Sequence, residues 1–445
     1  MAYRADDKGY RFDTQRITAG YDPYENLKAV SLPIYATAAF EFEDVQEAHD
    51  LFGLKKTGFL YTRDSNPTNL VLEEKISKLD GAAGAVTVAS GMAAISNTIF
   101  NLAEGGGRVL VSPYLYGGSV DGFKKVYEPF GIHIDTAEHI LEPELLADEI
   151  KPDTRAIFVE SISNPNAYVL DIDAIAKVAH DHGVVLVVDN TVATPYLYKP
   201  FEHGADIVVY SATKGLNGHG NAIAGIVLES GKFNYNNGHY PQFDEKYYTL
   251  RDDNGNWRSV TEAFPETPFT VRLRVKYLDL VGSVLSPFDA YLTVLGIETL
   301  SERLSRQSKT ALKLAQYLED NEHVNFVRYP GLFSSSFYDI AKKNLPNGAG
   351  GILSFGFIGT QEQKELFLNS TKLFHYHVNI GDVRSLIVDS PDTTHSELED
   401  KEKKIADIPD NLIRISAGLE DVDDLIADLE QAFEIAFSSD KKNIA

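Results

Sequence analysis

The chain has 445 residues, too many for one compact core, and its 43% hydrophobic and 24% charged content suits a folded globular protein, not a disordered or fibrous one. With 65 acidic against 41 basic residues, the net charge of −24 argues against nucleic acid binding, which needs a basic surface. The absence of cysteine excludes disulfides, thiolate metal sites and a cysteine nucleophile.

The N-terminal stretch MAYRADDKGYRFDTQR is polar and lacks the apolar core and cleavage site of a signal peptide. No window approaches the ~18 apolar residues of a membrane span, so a cytoplasmic protein without membrane contact is expected. Residues 1 to about 60 show no sustained period. Pro23, Pro33 and many aromatics predict an extended arm there, apolar enough to pack on something such as a second subunit.

From about residue 84, short apolar runs alternate with helical patterns. The runs are AVTVAS (85–90), RVLVS (108–112), AIFVES (156–161), VVLVVD (184–189), DIVVYS (206–211) and AIAGIVLE (222–229). Continuous apolar runs are the mark of strands buried on both faces, and alternation with helices predicts a mostly parallel sheet covered by helices. The sixth run follows too soon for a crossover helix, so it is expected to run antiparallel. Residues 231–267 are polar and aromatic, with DDNGN as a turn signal, and read as an excursion loop. Helical stretches at SPFDAYLTVLG and ALKLAQYLED follow. The strands HVNFVRYPG and GILSFGF, the helix QEQKELFLNST and a final amphipathic helix, DVDDLIADLEQAFEIAF, predict a smaller C-terminal α+β domain. The expected division is an arm at 1–60, a large domain at 61–284 and a C-terminal domain at 285–445.

Open α/β sheets bind ligands at the carboxyl ends of their strands. Those ends carry Ser90-Gly91-Met92, Glu160 with Asn164, Asp189-Asn190-Thr191 and Ser211-Ala212-Thr213-Lys214. Taken singly, Lys214 is an ordinary surface lysine. Following a buried-type strand, among the small residues of SATKGLNGHGN, it can form an imine if its neighbours keep it unprotonated. Asp189 alone is a turn former, but paired with Lys214 it suits a salt bridge to a pyridinium nitrogen. Ser90-Gly91-Met92 opens a helix, either as a plain N-cap or as an anion site to which Ser211 and Thr213 add hydroxyls. Arg63 is a loop arginine or a phosphate clamp, and Tyr116 a core aromatic or a stacking partner. From spacing alone, Arg414 is better read as an ordinary salt bridge than as a carboxylate anchor. His219 and His395 are weak signals, and no spacing suggests a metal site. The glycines at 105–107 do not fit a dinucleotide fingerprint.

In chain order, YTRDSNPT, ASGMAAI, LYGGS, ESISNP, VDNTVATPYL, SATKGLNGHG and RISAGLED together resemble the Cys/Met-metabolism enzymes that depend on pyridoxal 5'-phosphate (PLP), over nearly the whole chain. The resemblance implies PLP fold type I, the aspartate-aminotransferase-like architecture. It implies Lys214 as covalent anchor and proton shuttle and Asp189 at the pyridine nitrogen. Ser90, Gly91, Met92, Ser211 and Thr213 would lie at the phosphate, Tyr116 and Thr191 on the two ring faces, and Asn164 near the ring hydroxyl. Tyr61 and Arg63 would reach into the neighbouring subunit's site, with Tyr61 and Tyr116 also serving catalysis. Arg414 would bind the substrate carboxylate, with Asn379 and Tyr61 beside it. Within the family, TEAFP, KNLPNGAGGILSFG and HVNIGDVRSL resemble the O-acetylhomoserine sulfhydrylases. The implied reaction is γ-replacement on O-acetyl-L-homoserine with sulfide, giving L-homocysteine and acetate, in a homo-oligomer, a dimer of dimers. Asn379 stands where the lyases carry serine, and Gly118 where methionine γ-lyases carry cysteine. Cystathionine γ-synthase and the γ-lyases are the nearby alternatives, a catalytically silent binding protein the distant one. Asp389-Ser390-Pro391-Asp392 departs from the family's His-Pro and is expected to add negative charge close to the substrate.

Overall fold

The computed structural model describes residues 9–252 and 254–438. The first eight residues of the expected arm and Asp253 of the DDNGN turn lie outside the described residues.

Seven strands form the large sheet: β1 (Gly84–Val88), β2 (Gly107–Val111), β3 (Ile132–Thr136), β4 (Thr154–Glu160), β5 (Val185–Asp189), β6 (Ile207–Ser211) and β7 (Gly225–Glu229), in the order β1-β7-β6-β5-β4-β2-β3. All run parallel except β7, which pairs antiparallel with both β1 and β6, as its short connection requires. The strand period of two sends Ile157, Val159, Leu186 and Val188 into one apolar core and Ala156, Phe158, Val185 and Val187 into another, one on each face. This double burial explains the unbroken apolar runs in the sequence. β3 was not anticipated: IHIDT is a half-exposed edge strand, so it carries polar residues.

The arm is less extended than expected. It contains the helices α1 (Phe12–Thr18) and α2 (Val45–Phe52), ahead of α3 (Pro67–Asp80). Part of it docks within the chain: Lys75 Nζ on α3 donates to the Arg16 and Ile17 carbonyls at 3.0 and 3.1 Å, and Arg16 pairs with Glu302 at 2.5 Å. Further on, Leu27, Val30, Val45 and Phe52 turn apolar side chains outward.

The 231–267 segment is also more structured than a loop. It holds the hairpin β8 (Tyr247–Arg251) and β9 (Trp257–Arg258). Tyr235, Tyr240 and Phe243 are buried against the large sheet. The Tyr240 hydroxyl accepts from Val185 N at 2.9 Å and donates to Arg155 O at 2.6 Å, stitching the excursion to β5. Helices Pro287–Ile297 and Leu300–Glu319 lead to a four-stranded antiparallel sheet. Its strands are β10 (Val324–Arg328), β11 (Ile352–Phe357), β12 (Leu386–Asp389) and β13 (Leu412–Ser416), in the order β10-β11-β13-β12. This sheet has its own core with helices Gln361–Ser370 and Val422–Ala436.

Candidate active site

A cavity of about 270 Å³ opens where the carboxyl ends of β4, β5 and β6 meet the start of the helix α4 (Gly91–Leu102) and the smaller sheet. Its wall gathers Ser90, Gly91, Met92, Tyr116, Asn164, Asp189, Thr191, Ser211, Thr213, Lys214, Asn379 and Arg414. Twelve of the fourteen candidate residues are therefore brought together. Tyr61 and Arg63 are not: they lie off this cavity. Arg63 pairs there with Asp279 at 2.7 Å and sits 4.9 Å from the Tyr61 ring.

At the anion end, Ser90 caps α4 by accepting from Ala93 N at 3.1 Å. The first-turn amides that follow have no intrahelical acceptor, which gives the end of α4 its affinity for anions. Contact with β6 is tight, since a Cβ on Gly91 would lie 2.5 Å from the Ser211 Cβ. Thr213 is already engaged: its hydroxyl accepts from Ala224 N at 2.9 Å and donates to Ala224 O at 3.3 Å.

Two carboxylates stand side by side at the floor, because β4 and β5 pair Glu160 with Asp189. Glu160 accepts from the Tyr116 and Asn164 amides at 2.7 and 3.0 Å, which fixes both loops. Burial, then the neighbouring Asp189, raises its carboxyl well above the usual range, so it is read as the neutral member of the pair. Asp189 accepts from Thr191 N at 2.9 Å, and burial raises it to about 6. It thus serves as a turn former and still faces the cavity. Thr191 Oγ1 in turn accepts from Ser211 N at 2.8 Å, locking β5 to β6.

Lys214 donates from Nζ to Asn379 Oδ1 at 2.9 Å. Burial, then the Arg414 charge, lowers its amine to about 8, close to the neutral form that imine chemistry needs. Arg414 is 2% exposed. It has no carboxylate partner among the described residues, so the salt-bridge reading is corrected. Its guanidinium donates to Asn164 Oδ1 at 3.1 Å and to Asn379 O at 2.9 Å, and its Nε is left without an acceptor. Burial lowers it to about 10, still cationic at neutral pH. A buried, unpaired cation on a cavity wall is a seat for an anion.

The acidic departure at 389–392 adds no charge here. Asp389 is buried with Lys364 at 2.8 Å, and Asp392 lies 3.7 Å from the same amine. Of residues 389–395, only Thr394 reaches the cavity wall. His395, a weak sequence signal, is fully buried and packs edge-on to Tyr116, with ring centroids 6.4 Å apart. Burial lowers it to about 4, so it is neutral and acts as packing. Ile223 and Val378 at the rim carried no sequence signal, since isolated apolar residues look like core.

These side chains suit PLP. The cavity has an anion seat at α4, a half-buried carboxylate opposite, an amine near neutrality and a spare buried cation. The Gly91–Ser211 contact leaves no room for a Cβ at the anion seat.

The family model described as Cys/Met metabolism PLP-dependent enzyme matches residues 13–434. The chain is 41% identical to sulfhydrylase FUB7 of Gibberella moniliformis, over 96% of this chain and 98% of that protein. It is 39% identical to the homocysteine synthase of Schizosaccharomyces pombe, over 96% and 98% of the two chains. A crystal structure from Campylobacter jejuni, described as an O-acetylhomoserine (thiol)-lyase and containing N'-pyridoxyl-lysine-5'-monophosphate, superposes with a TM-score of 0.90 at 35% identity, covering 96% of this chain and 100% of that one.

Proposed function

The chain belongs to the Cys/Met metabolism PLP-dependent enzymes, of fold type I, and from that premise we propose that it performs γ-replacement on O-acetyl-L-homoserine with sulfide, yielding L-homocysteine and acetate. The observation that carries this reading is the pair of cations on the cavity wall. Lys214 and Arg414 are the only lysine or arginine side chains among the lining residues described. Arg414 takes the substrate α-carboxylate and Lys214 handles protons. Among this chain's own lining residues no third cation is left for a second carboxylate or a phosphate on the leaving group, or for the carboxylate of cysteine as acceptor, and the partner subunit's Arg63 would be engaged by the cofactor's phosphate. An acetyl ester and a small sulfur nucleophile fit that balance of charge, which disfavours the cystathionine γ-synthase alternative.

When bound, PLP supplies an electron sink for charge left on the substrate carbon. The rest falls to the chain. Asp189 would hold a positive charge at the pyridine nitrogen. Gly91, Met92 and Ser211 would hold the phosphate, with Thr213 joining them by turning its hydroxyl proton off the Ala224 carbonyl and Ser90 shaping the start of α4. Tyr116 and Thr191 would confine the ring from two sides, and Asn164 would lie near its hydroxyl. Arg414 fixes the carboxylate so that the α-hydrogen faces Lys214, and Lys214 takes that proton and returns it later. Such positioning contributes about 7 kcal/mol in favourable cases. Tyr61 and Arg63 serve a neighbouring subunit's site, so we take the working form to be a homo-oligomer, a cytoplasmic dimer of dimers, and residue 285 to begin the C-terminal domain.

The test is a product assay on PLP-loaded protein with O-acetyl-L-homoserine, with and without sulfide. Homocysteine and acetate formed only with sulfide support the proposal. Ammonia and 2-oxobutyrate as the main products without sulfide would make the protein a γ-lyase. Lys214→Ala is expected to abolish both turnover and the visible absorbance of the lysine-bound cofactor.

A further inference from the structure

Behind Lys214 lies a carboxylate that the reaction above does not use. Asp382 is 2% exposed and follows Asn379 in a turn pressed against the lysine loop. A Cβ on Gly381 would fall 2.8 Å from Gly215 N, and one on Gly220 would fall 2.6 Å from Asp382 Oδ2. Val383 N donates to Gly218 O at 2.9 Å, and Gln307 Nε2 donates to Asp382 O at 2.7 Å. The turn therefore has one seat. Within it, Asp382 Oδ2 accepts from Asn379 Nδ2 at 3.3 Å, while Asn379 Oδ1 accepts from Lys214 Nζ at 2.9 Å.

A side-chain amide has two nearly isosteric ends, and its partners decide which way it faces. An ionised carboxylate only accepts, so beside Asp382 the amide must turn its NH₂ that way and its oxygen toward Lys214. The lysine is then held as a donor to Asn379, and its lone pair stays directed at the cavity. With the amide reversed, the NH₂ would donate into that lone pair and block it. We infer that Asp382 is a positioning residue that acts through the Asn379 amide to keep the Lys214 nitrogen available for proton transfer.

The inference rests on Lys214 as the proton-carrying group. The charged and titratable groups around this chain of contacts are Arg414, Asp189, Glu160 and Tyr116 on the cavity wall and Arg303 and Arg384 beside Asp382. Arg384 lies half-exposed, 2.9 Å from Asp382 Oδ1.

The experiment compares Asp382→Asn, Asn379→Ala, the double variant and Arg384→Ala as holoenzymes. Two readouts are taken: kcat against KM, and the pH titration of the visible band of the lysine-bound cofactor. Asp382→Asn is expected to lower kcat by about tenfold or more with little change in KM, and to move the titration midpoint to lower pH, because an anion near the lysine is lost. In the Asn379→Ala background it should lower kcat no further, while the midpoint shift, which acts through space, remains. Arg384→Ala, which removes a cation and leaves the carboxylate, should move the midpoint to higher pH. An unchanged kcat and midpoint in Asp382→Asn, or an equal loss in the Asn379→Ala background, overturns the inference. If Asp382→Asn does not fold, an unmoved midpoint in Arg384→Ala overturns it. Lys214→Ala separates the two ideas: turnover in that variant sinks the lysine's role itself, whereas a silent Asp382→Asn beside a dead Lys214→Ala sinks only the relay.

Discussion

Arg414 and Lys214 share one low-dielectric cavity, and each has a measurable cost. Arg414 is a buried cation with no carboxylate partner among the described residues; in the proposed role of carboxylate anchor, Arg414→Ala should lower kcat/KM for the amino acid substrate by roughly 10- to 100-fold, the worth of a charged hydrogen bond. Arg414→Lys should restore little of it, because an ammonium does not reproduce the guanidinium fork. Steady-state kinetics at saturating sulfide would show both. Lys214 is held near pKa 8 by burial and by Arg414. With its folded value below the unfolded one, the unfolded apo-protein binds the extra proton between about pH 8 and 10.5, so this group adds stability as pH rises through that window. Apo Lys214→Met should therefore be the more stable protein at pH 7, by about 3 kcal/mol, and the gap should close toward pH 10.5. Denaturant melts of the two apo-proteins across that range check the sign. The twelve cavity residues were legible because strand ends and family motifs mark them. Asp382 was not, because its role exists only where the lysine loop meets a turn more than 160 residues later.

Among elements, the junction of α4 with β6 and β7 is closely packed. A Cβ on Gly225 would sit 2.0 Å from Ser90 O, against backbone that cannot swing aside. Gly225→Ala should cost about 1–3 kcal/mol or more and weaken PLP binding, because relief of the clash must shift the start of α4. Ser90→Ala, which removes only the cap, should cost about 1 kcal/mol. Thermal melts with and without PLP distinguish the two. The same region shows what the sequence pattern could carry. The buried central strands announced themselves as unbroken apolar runs, and β7 betrayed its direction by its short connection. β3 escaped because an edge strand alternates with polar residues. The excursion at 231–267 looked like a loop because its burial is made by separated aromatics with no period.

For the whole molecule, the arm sets the testable geometry. Tyr61 and Arg63 stand off the cavity of their own chain, and Leu27, Val30, Val45 and Phe52 are left uncovered. If Arg63 serves a partner, unfolding and refolding a mixture of inactive Lys214→Ala and impaired Arg63→Ala chains should restore activity. Each mixed pair then holds one intact site, about a quarter of all sites after random pairing. Sites contained within one chain would give no such recovery. A different consequence follows from the place of β7 in the sheet. β1 lies at the edge, and its sole ladder is to β7, with Thr87 meeting Ile226. A chain growing from its N-terminus can pair β2 with β3 and then add β4, β5 and β6 in turn, but β1 has no strand to join until Glu229 has been made. The loop so closed is long, and such closures form late and slowly. Until then both β1 and the flank of β6 are open to pairing with other chains. The end of the sheet that packs against the start of α4 is thus the last to be completed during synthesis.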